Sequence, residues 1–321
     1  MRLKLFAAFA ALSLTTAVAQ DFPSKPITIM VPFAAGGSTD LVSRLTADGL
    51  GKALGATVIV DNVVGAGGTI ASTKLANAKP DGYTLMVHHV GLASAATLYR
   101  QLPYNTKESF QPLAVLTHTA STIIARPDFE PNTFAEVIEY IKKNKDKVTL
   151  ANAGLGAASH LCGMLIQHAI GVQVTTVPYK GNGPVMNDLR GKQVDMTCDQ
   201  ATATTSHIKS KAIKAYAVTT KTRIADLPDL PTADEAGLKG FDLSVWHGIY
   251  APKGTPQAVV DKLVVALQKA IADPAYIEKM KGINTTVATQ AEATPAGLTK
   301  QLFGEIDRWA PIIKAAGQYA D

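Results

Sequence analysis

The sequence predicts an α/β protein of two lobes, each a mainly parallel sheet flanked by helices, with a ligand cleft between them. Three observations lead there. Apolar or β-branched runs alternate with helical spacing over most of the chain. The order strand, glycine loop, helix occurs in both halves. Two extended stretches are placed to carry the chain from one lobe to the other and back.

Residues 27–31 read as an apolar strand, 39–54 as a helix, 57–60 as a β-branched strand and 69–78 as a second helix. Residues 83–88 form a third strand, entered through the turn Lys79-Pro80-Asp81-Gly82. A βαβαβ order implies parallel strands with helices on the sheet faces. The order restarts with strands at 148–151, 173–177, 194–198 and 213–218, and helices at 157–170, 184–190 and 202–209. GAGGTIASTKLANAKPDGYTLMV, from Gly65, and KGNGPVMNDLRGKQVDMTC, from Lys180, share one plan: glycine loop, short helix, turn, strand. The C-terminal part reads as helices at 256–272, 274–281 and 295–316, with a short strand at 285–288. Pro256, Pro274 and Pro295 stand at or near first-turn positions, where proline is tolerated. Crossings at 116–126 and 246–252 give lobe 1 as 20–125 plus 250–321 and lobe 2 as 126–249, hinged over a cleft.

Residues 1–19 read as a removed secretory signal. Arg2 and Lys4 precede an apolar run, too short for a permanent anchor, and Ala17-Val18-Ala19 supplies the small-x-small cleavage pattern near Ala19. No cysteine follows, which disfavours a lipoprotein anchor. Loss of Arg2 and Lys4 lowers the formal charge from +5 to +3. The remaining basic residues are scattered, which speaks against nucleic acid as a partner. Cys162 and Cys198 are the chain's two cysteines, with no Cys-x-x-Cys, and read as small buried thiols in preference to a disulfide.

The stretch VPFAAGGSTDLVSR, residues 31–44, breaks from strand into glycine loop and restarts as a helix. Strand ends and helix starts of parallel sheets hold anions through free N–H groups and the helix dipole. Gly36 and Gly37 allow close backbone approach, and Ser38 and Thr39 add hydroxyls. The loop has no phosphate-binding lysine, and Asp40 would compete with a highly charged anion. Phe33, Ala34, Ala35, Gly36, Gly37, Ser38 and Thr39 are therefore expected to hold a carboxylate. ANAGLGAASHLCGM, from Ala151, repeats the arrangement in the second half. There Asn152, Ala158, Ser159 and His160 are candidate contacts, joined by Asp199 and His88 at strand ends and Trp246 at a crossing. A hydrolase using Ser159 and His160 is the alternative, weakened by the absence of any G-x-S-x-G elbow. Neither a metal site nor a cofactor is expected; His88-His89 is merely an adjacent pair.

In order and spacing these segments resemble the Bug-type solute-binding proteins of tripartite tricarboxylate transporters. The resemblance rests on VPFAAGGSTD, the GAGG of 65–68, KPDGYTLM, QLPYNTKESFQPLA, the G-x-G-x-x-S-H of 154–160, VPYKG and LPDLPTADEAG. It implies a type II-like periplasmic-binding-protein fold that closes like a flytrap on a carboxylate. It also implies a monomeric receptor in the periplasm that hands its cargo to one large and one small membrane permease subunit. The loop 33–39 would take a ligand carboxylate, with Ser159, His160 and Asp199 on the opposing wall. His88-His89-Val90-Gly91-Leu92 departs from the hydroxyl-rich segment common in that family. An aromatic dicarboxylate such as terephthalate would suit imidazole and Trp246 together.

Overall fold

The structure, a computed structural model, describes residues 22–320, so the expected leader lies outside the described residues. The first sheet begins with β1 (Ile27–Val31), followed by α1 (Ser38–Leu54), β2 (Val58–Asn62), α2 (Thr69–Ala76), β3 (Thr84–His89) and α3 (Val90–Leu98). The long strand β4 (Phe110–Ala125) leads to α4 (Phe134–Asn144), β5 (Thr149–Asn152), α5 (Ala158–Ile170), β6 (Thr175–Pro178) and α6 (Asn182–Arg190). Then come β7 (Met196–Gln200), α7 (Ala201–Lys209), β8 (Lys214–Val218) and β9 (Ser244–Pro252). The chain finishes with α8 (Gln257–Ala272), α9 (Pro274–Gly282), β10 (Thr286–Val287) and α10 (Pro295–Ala316).

The strand order is β2-β1-β3-β9-β4-β7-β5-β6, with β8 and β10 also paired to β4. β1 is parallel to β2 and β3, and β5 is parallel to β6 and β7. Each lobe is thus a parallel core reached through antiparallel edges. β4 belongs to both lobes. Its residues from Phe110 to Ala120 pair with β9, whereas Ser121 to Ala125 pair with β7 and β8. β9 pairs along its whole length with β3 and β4, and the return crossing comes just before it, at Leu243. Thr219 ties the two crossings together: its N–H donates to Ser121 O, the Leu243 N–H donates to Thr219 O, and the Thr219 hydroxyl donates to Leu243 O.

Local chemistry accounts for the element ends. α1 stops at Gly55 and α5 at Gly171, both in the left-handed conformation that closes a helix C-terminus without a Cβ penalty. α4 opens with a capping box, Thr133 to Glu136, and α10 with Thr294 as N-cap followed by Pro295. α3 has seven of its nine residues buried, so it carries no solvent-facing stripe and no periodic signal. One apolar cluster joins the first sheet to α1 and α8 through Leu50, Leu85, Leu263 and Leu267. A larger one runs from α3 and α10 into the second lobe, holding Leu92, Trp309, Leu161 and Met196. This shared packing fixes where the loops of the two lobes meet.

Candidate functional site

Five helices begin at the seam between the lobes. α1 follows Gly37, α5 follows Ala157, α6 follows Gly181 and α7 follows Gln200, and no side chain caps any of these four starts. Their first N–H groups therefore remain available to a ligand. α3 differs, because the His89 ring accepts the Gly91 N–H at 2.8 Å. Residues at these starts enclose a cavity of about 10 Å³ between the lobes. Phe33, Thr39 and His89 face it from lobe 1; Ser159, Asn182, Asp199 and Gln200 face it from lobe 2. Ala153, Ala157 and Ala158 complete the wall. That volume takes about one water, so a larger guest requires the lobes to separate.

The lobe-1 loop is organised from beneath by Asp40. Its carboxylate accepts from the Gly36 N–H, the Arg44 Nε and the Asn62 amide, each at 2.9 Å. The same Asn62 amide donates to Phe33 O at 2.9 Å. Burial pushes the Asp40 carboxyl up, but the hydrogen bonds from Arg44, Gly36 and Asn62 outweigh it and hold the group below the usual carboxylate range. The charge that would compete with a bound anion is thus already neutralised by Arg44. Ser38 Oγ is buried and has no partner among the described residues. Ala34 is half-buried, and Ala35 and Gly36 are exposed on the rim.

In lobe 2, the cavity-lining Ser159 accepts the Ala153 N–H through its Oγ at 2.9 Å, and His160, outside that lining, accepts the Gly156 N–H through Nδ1 at 3.2 Å. No hydrogen bond joins Ser159 to His160 among the described residues, so they form no nucleophile–base pair. Asn152 Oδ1 accepts the Gly154 N–H at 2.9 Å, while its Nδ2 and the Oε1 of Gln200 are buried without partners. Asp199 accepts from the Asn182 amide and from the Gln200 N–H. Burial nevertheless raises its pKa to about 6, the two hydrogen bonds opposing the shift. Cys162 and Cys198 form a disulfide with a Cα–Cα distance of 5.9 Å, contrary to the expectation of two thiols. Spacing in sequence carries no information on that distance. The bond ties α5, three residues after Ser159, to β7, one residue before Asp199.

The histidines depart from expectation in an instructive way. His88 Nδ1 accepts the His89 N–H at 2.8 Å, and a Cβ built on Gly68 would lie 2.5 Å from His88 Nε2. It is therefore packed against Gly68, and its neighbour His89 lines the cavity. The His89 ring stacks on Phe33 at 4.7 Å and 15°. Because its Nδ1 accepts a backbone N–H, its proton sits on Nε2, which is left as a donor. Burial takes His88 down to about 3 and His160 to about 4, and places His89 well below the usual range, so all three are neutral at pH 7. Trp246 is not at the cavity. Gly248, on the same face of β9, abuts Leu298 of α10, and the buried indole sits in the larger core cluster. Asn182 and Gln200 also line the cavity, although sequence reasoning did not name them. Their signal was the helix restart after Lys180-Gly181 and at the end of the strand that holds Asp199.

The glycine loops noted in both halves close on one another reciprocally. A Cβ on Gly67 would collide with Leu155 O of lobe 2. A Cβ on Gly181 would lie 2.8 Å from Ala34 Cβ of lobe 1. The Tyr99 hydroxyl spans the first of these contacts, within 2.8 Å of Ala66 O and 3.1 Å of Leu155 O. The second glycine loop of each lobe thus seats on the first loop of the other. Among the described residues, no helix is long and apolar enough to cross a membrane.

Residues 42–318 match the sequence profile described as the tripartite tricarboxylate transporter family receptor, TctC. A UPF0065 protein from the TAR-I ttuE-ttuC' intergenic region of Agrobacterium vitis is 48% identical over 303 residues, covering 94% of this chain and 88% of the relative. The periplasmic binding protein BugD superposes with a TM-score of 0.90 at 50% identity, covering 93% of this chain and 99% of BugD. MatC (Rpa3494) from Rhodopseudomonas palustris, with bound malate, does so with a TM-score of 0.88 at 36% identity, covering 91% and 100%. The family so described is a transporter receptor, and BugD is a periplasmic binding protein. The chain belongs to the TctC family of tripartite tricarboxylate transporter receptors.

Proposed function

We propose that this chain captures a small dicarboxylate in the periplasm and delivers it to a permease of one large and one small membrane subunit. The observation that carries the reading is the set of uncapped helix starts around a buried cavity with no Lys or Arg lining it. A carboxylate there takes backbone N–H groups and helix dipoles in place of a cation. The loop 33–39 holds one carboxylate, with Ser38 Oγ and the His89 Nε2–H as further donors. The buried, unpartnered Asn152 Nδ2 is a further lobe-2 donor once the lobes part around a ligand.

Asp199 and Gln200 Oε1 offer acceptors on lobe 2. They suit a ligand hydroxyl or ammonium beside the carboxylate, as in a hydroxy acid such as the malate held by MatC. An aromatic body, as in terephthalate, would meet the Phe33 and His89 rings in place of Trp246. Lobe closure pivots where β4 changes partners and brings the reciprocal glycine loops together. The chain acts as a monomer after removal of its leader near Ala19.

A thermal-shift and calorimetric screen of mono-, di- and hydroxycarboxylates tests the reading. Stabilisation should grow as the logarithm of ligand concentration above Kd. A panel giving neither stabilisation nor heat would overturn it.

A further inference from the structure

A second cavity, of about 220 Å³, lies against the first. The two share Phe33 and Ala153 as their common wall. Like the first, the second cavity is closed by both lobes. Tyr99 lines it from lobe 1, Tyr179 and Lys180 line it from lobe 2, and the chain end contributes Ala320. The Tyr179 hydroxyl donates to Asp188 at 2.6 Å, and the Tyr99 hydroxyl is engaged with Ala66 and Leu155. Both phenols are therefore committed to protein partners. Lys180 is exposed and makes no ion pair among the described residues.

The anchoring cavity cannot hold more than the head of a ligand. Away from Phe33 it ends on Thr39, Ser159, Asp199 and Gln200, all buried and 3% exposed or less. Asp199 also makes that end unwelcoming to a second negative charge. The Phe33–Ala153 wall is the side that gives onto free volume, and a phenyl ring turns about two torsions without moving the backbone.

Resting on the carboxylate-receptor reading above, we infer that the chamber beyond Phe33 receives the far end of an elongated dicarboxylate, and that Lys180 selects for a charge there. The chain is then a receptor for acids with two separated carboxylates, the first held by backbone N–H groups and the second by one flexible ammonium. Phe33 acts as the partition whose rotation joins the two compartments.

The test is calorimetry on the full-length mature chain with succinate, adipate and hexanoate, for wild type, Lys180→Met and Lys180→Arg. Wild type should prefer adipate to hexanoate, and adipate to succinate. In Lys180→Met the adipate-to-hexanoate preference should fall by roughly threefold to tenfold, with hexanoate affinity unchanged. Lys180→Arg should restore most of it. Circular dichroism and the unfolding midpoint check that each variant is folded. Succinate binding without adipate binding overturns the chamber and leaves the receptor reading standing. An adipate preference indifferent to Lys180→Met overturns the role of Lys180. Silence from all three acids overturns the receptor reading and this inference with it.

Discussion

The lobe-1 wall of the cleft is held together by one ionised carboxylate, and the lobe-2 wall by a covalent bond. Asp40 gathers Gly36, Arg44 and Asn62 beneath a loop whose tip, Ala35 and Gly36, is exposed. On the other side Cys162–Cys198 joins α5, which carries Ser159 in its first turn, to β7, which carries Asp199, and the wall is buried. The first wall can be reshaped by a change of charge, while the second is a template fixed once its cross-link forms. A receptor that grips its ligand between two such walls gains adaptability on one side and a constant reference on the other.

Breaking the template should cost most. Replacing both Cys162 and Cys198 by alanine removes a link between residues 36 apart in sequence, and should lower unfolding free energy by about 3–4 kcal/mol. Urea denaturation checks this, and an unchanged midpoint would mean the bond contributes nothing.

Next comes the seam where the walls meet. Gly67→Ala drives a methyl into Leu155 O, so the closed form is lost. Affinity for the best ligand of the screen should drop about a hundredfold, near 3 kcal/mol. The left-handed backbone at Gly67, with φ of 59°, adds about 1–2 kcal/mol of strain in any conformation that keeps it. Small-angle scattering should show the variant open with and without ligand; a compact liganded form would refute the seam.

Asp40→Asn strikes the adaptable wall and should cost about 1.5–3 kcal/mol at pH 7. The sign follows from the depressed pKa. Stability from the ionised group is present above the ordinary carboxylate range and is lost as pH falls through the folded value. Melting curves of wild type and variant should therefore converge at acid pH. Parallel curves from pH 7 downward would deny the carboxylate its charge-dependent role.

The smallest effect is expected at Asp199. With a pKa near 6, it gains a proton as pH falls from 7.5 to 5.5, removing a negative charge beside the site. Affinity for a dicarboxylate lacking a hydroxyl or amine should then rise, within about tenfold. Asp199→Asn should flatten the profile, and a slope surviving in the variant would assign the titration elsewhere.

Much of this was legible in the sequence, and the failures share a cause. The opening loop could be read because glycine, hydroxyl and helix restart are local signals. His88 and His89 could not be ordered, because both rings lie against Phe33 where β3 gives way to α3, and sequence does not say which of them reaches the cavity. Trp246 fell to the same ambiguity. α3 was invisible because a helix buried all round has no periodicity, whereas α4 announced itself in Thr133 and Glu136 and was passed over. The disulfide depended on a distance, and spacing along a chain does not measure distances in space.

The sharing of β4 has a consequence for the order in which the molecule is made. Synthesis releases the chain from its N-terminus, so β1, β2 and β3 emerge long before β9, the remaining partner of β3. β5 to β8 are contiguous in sequence and need only the second part of β4. The later-encoded lobe is thus the first able to complete its hydrogen bonding. The earlier-encoded lobe stays open-edged until residue 252 has appeared, a window in which a nascent chain exposes unpaired strand to its neighbours.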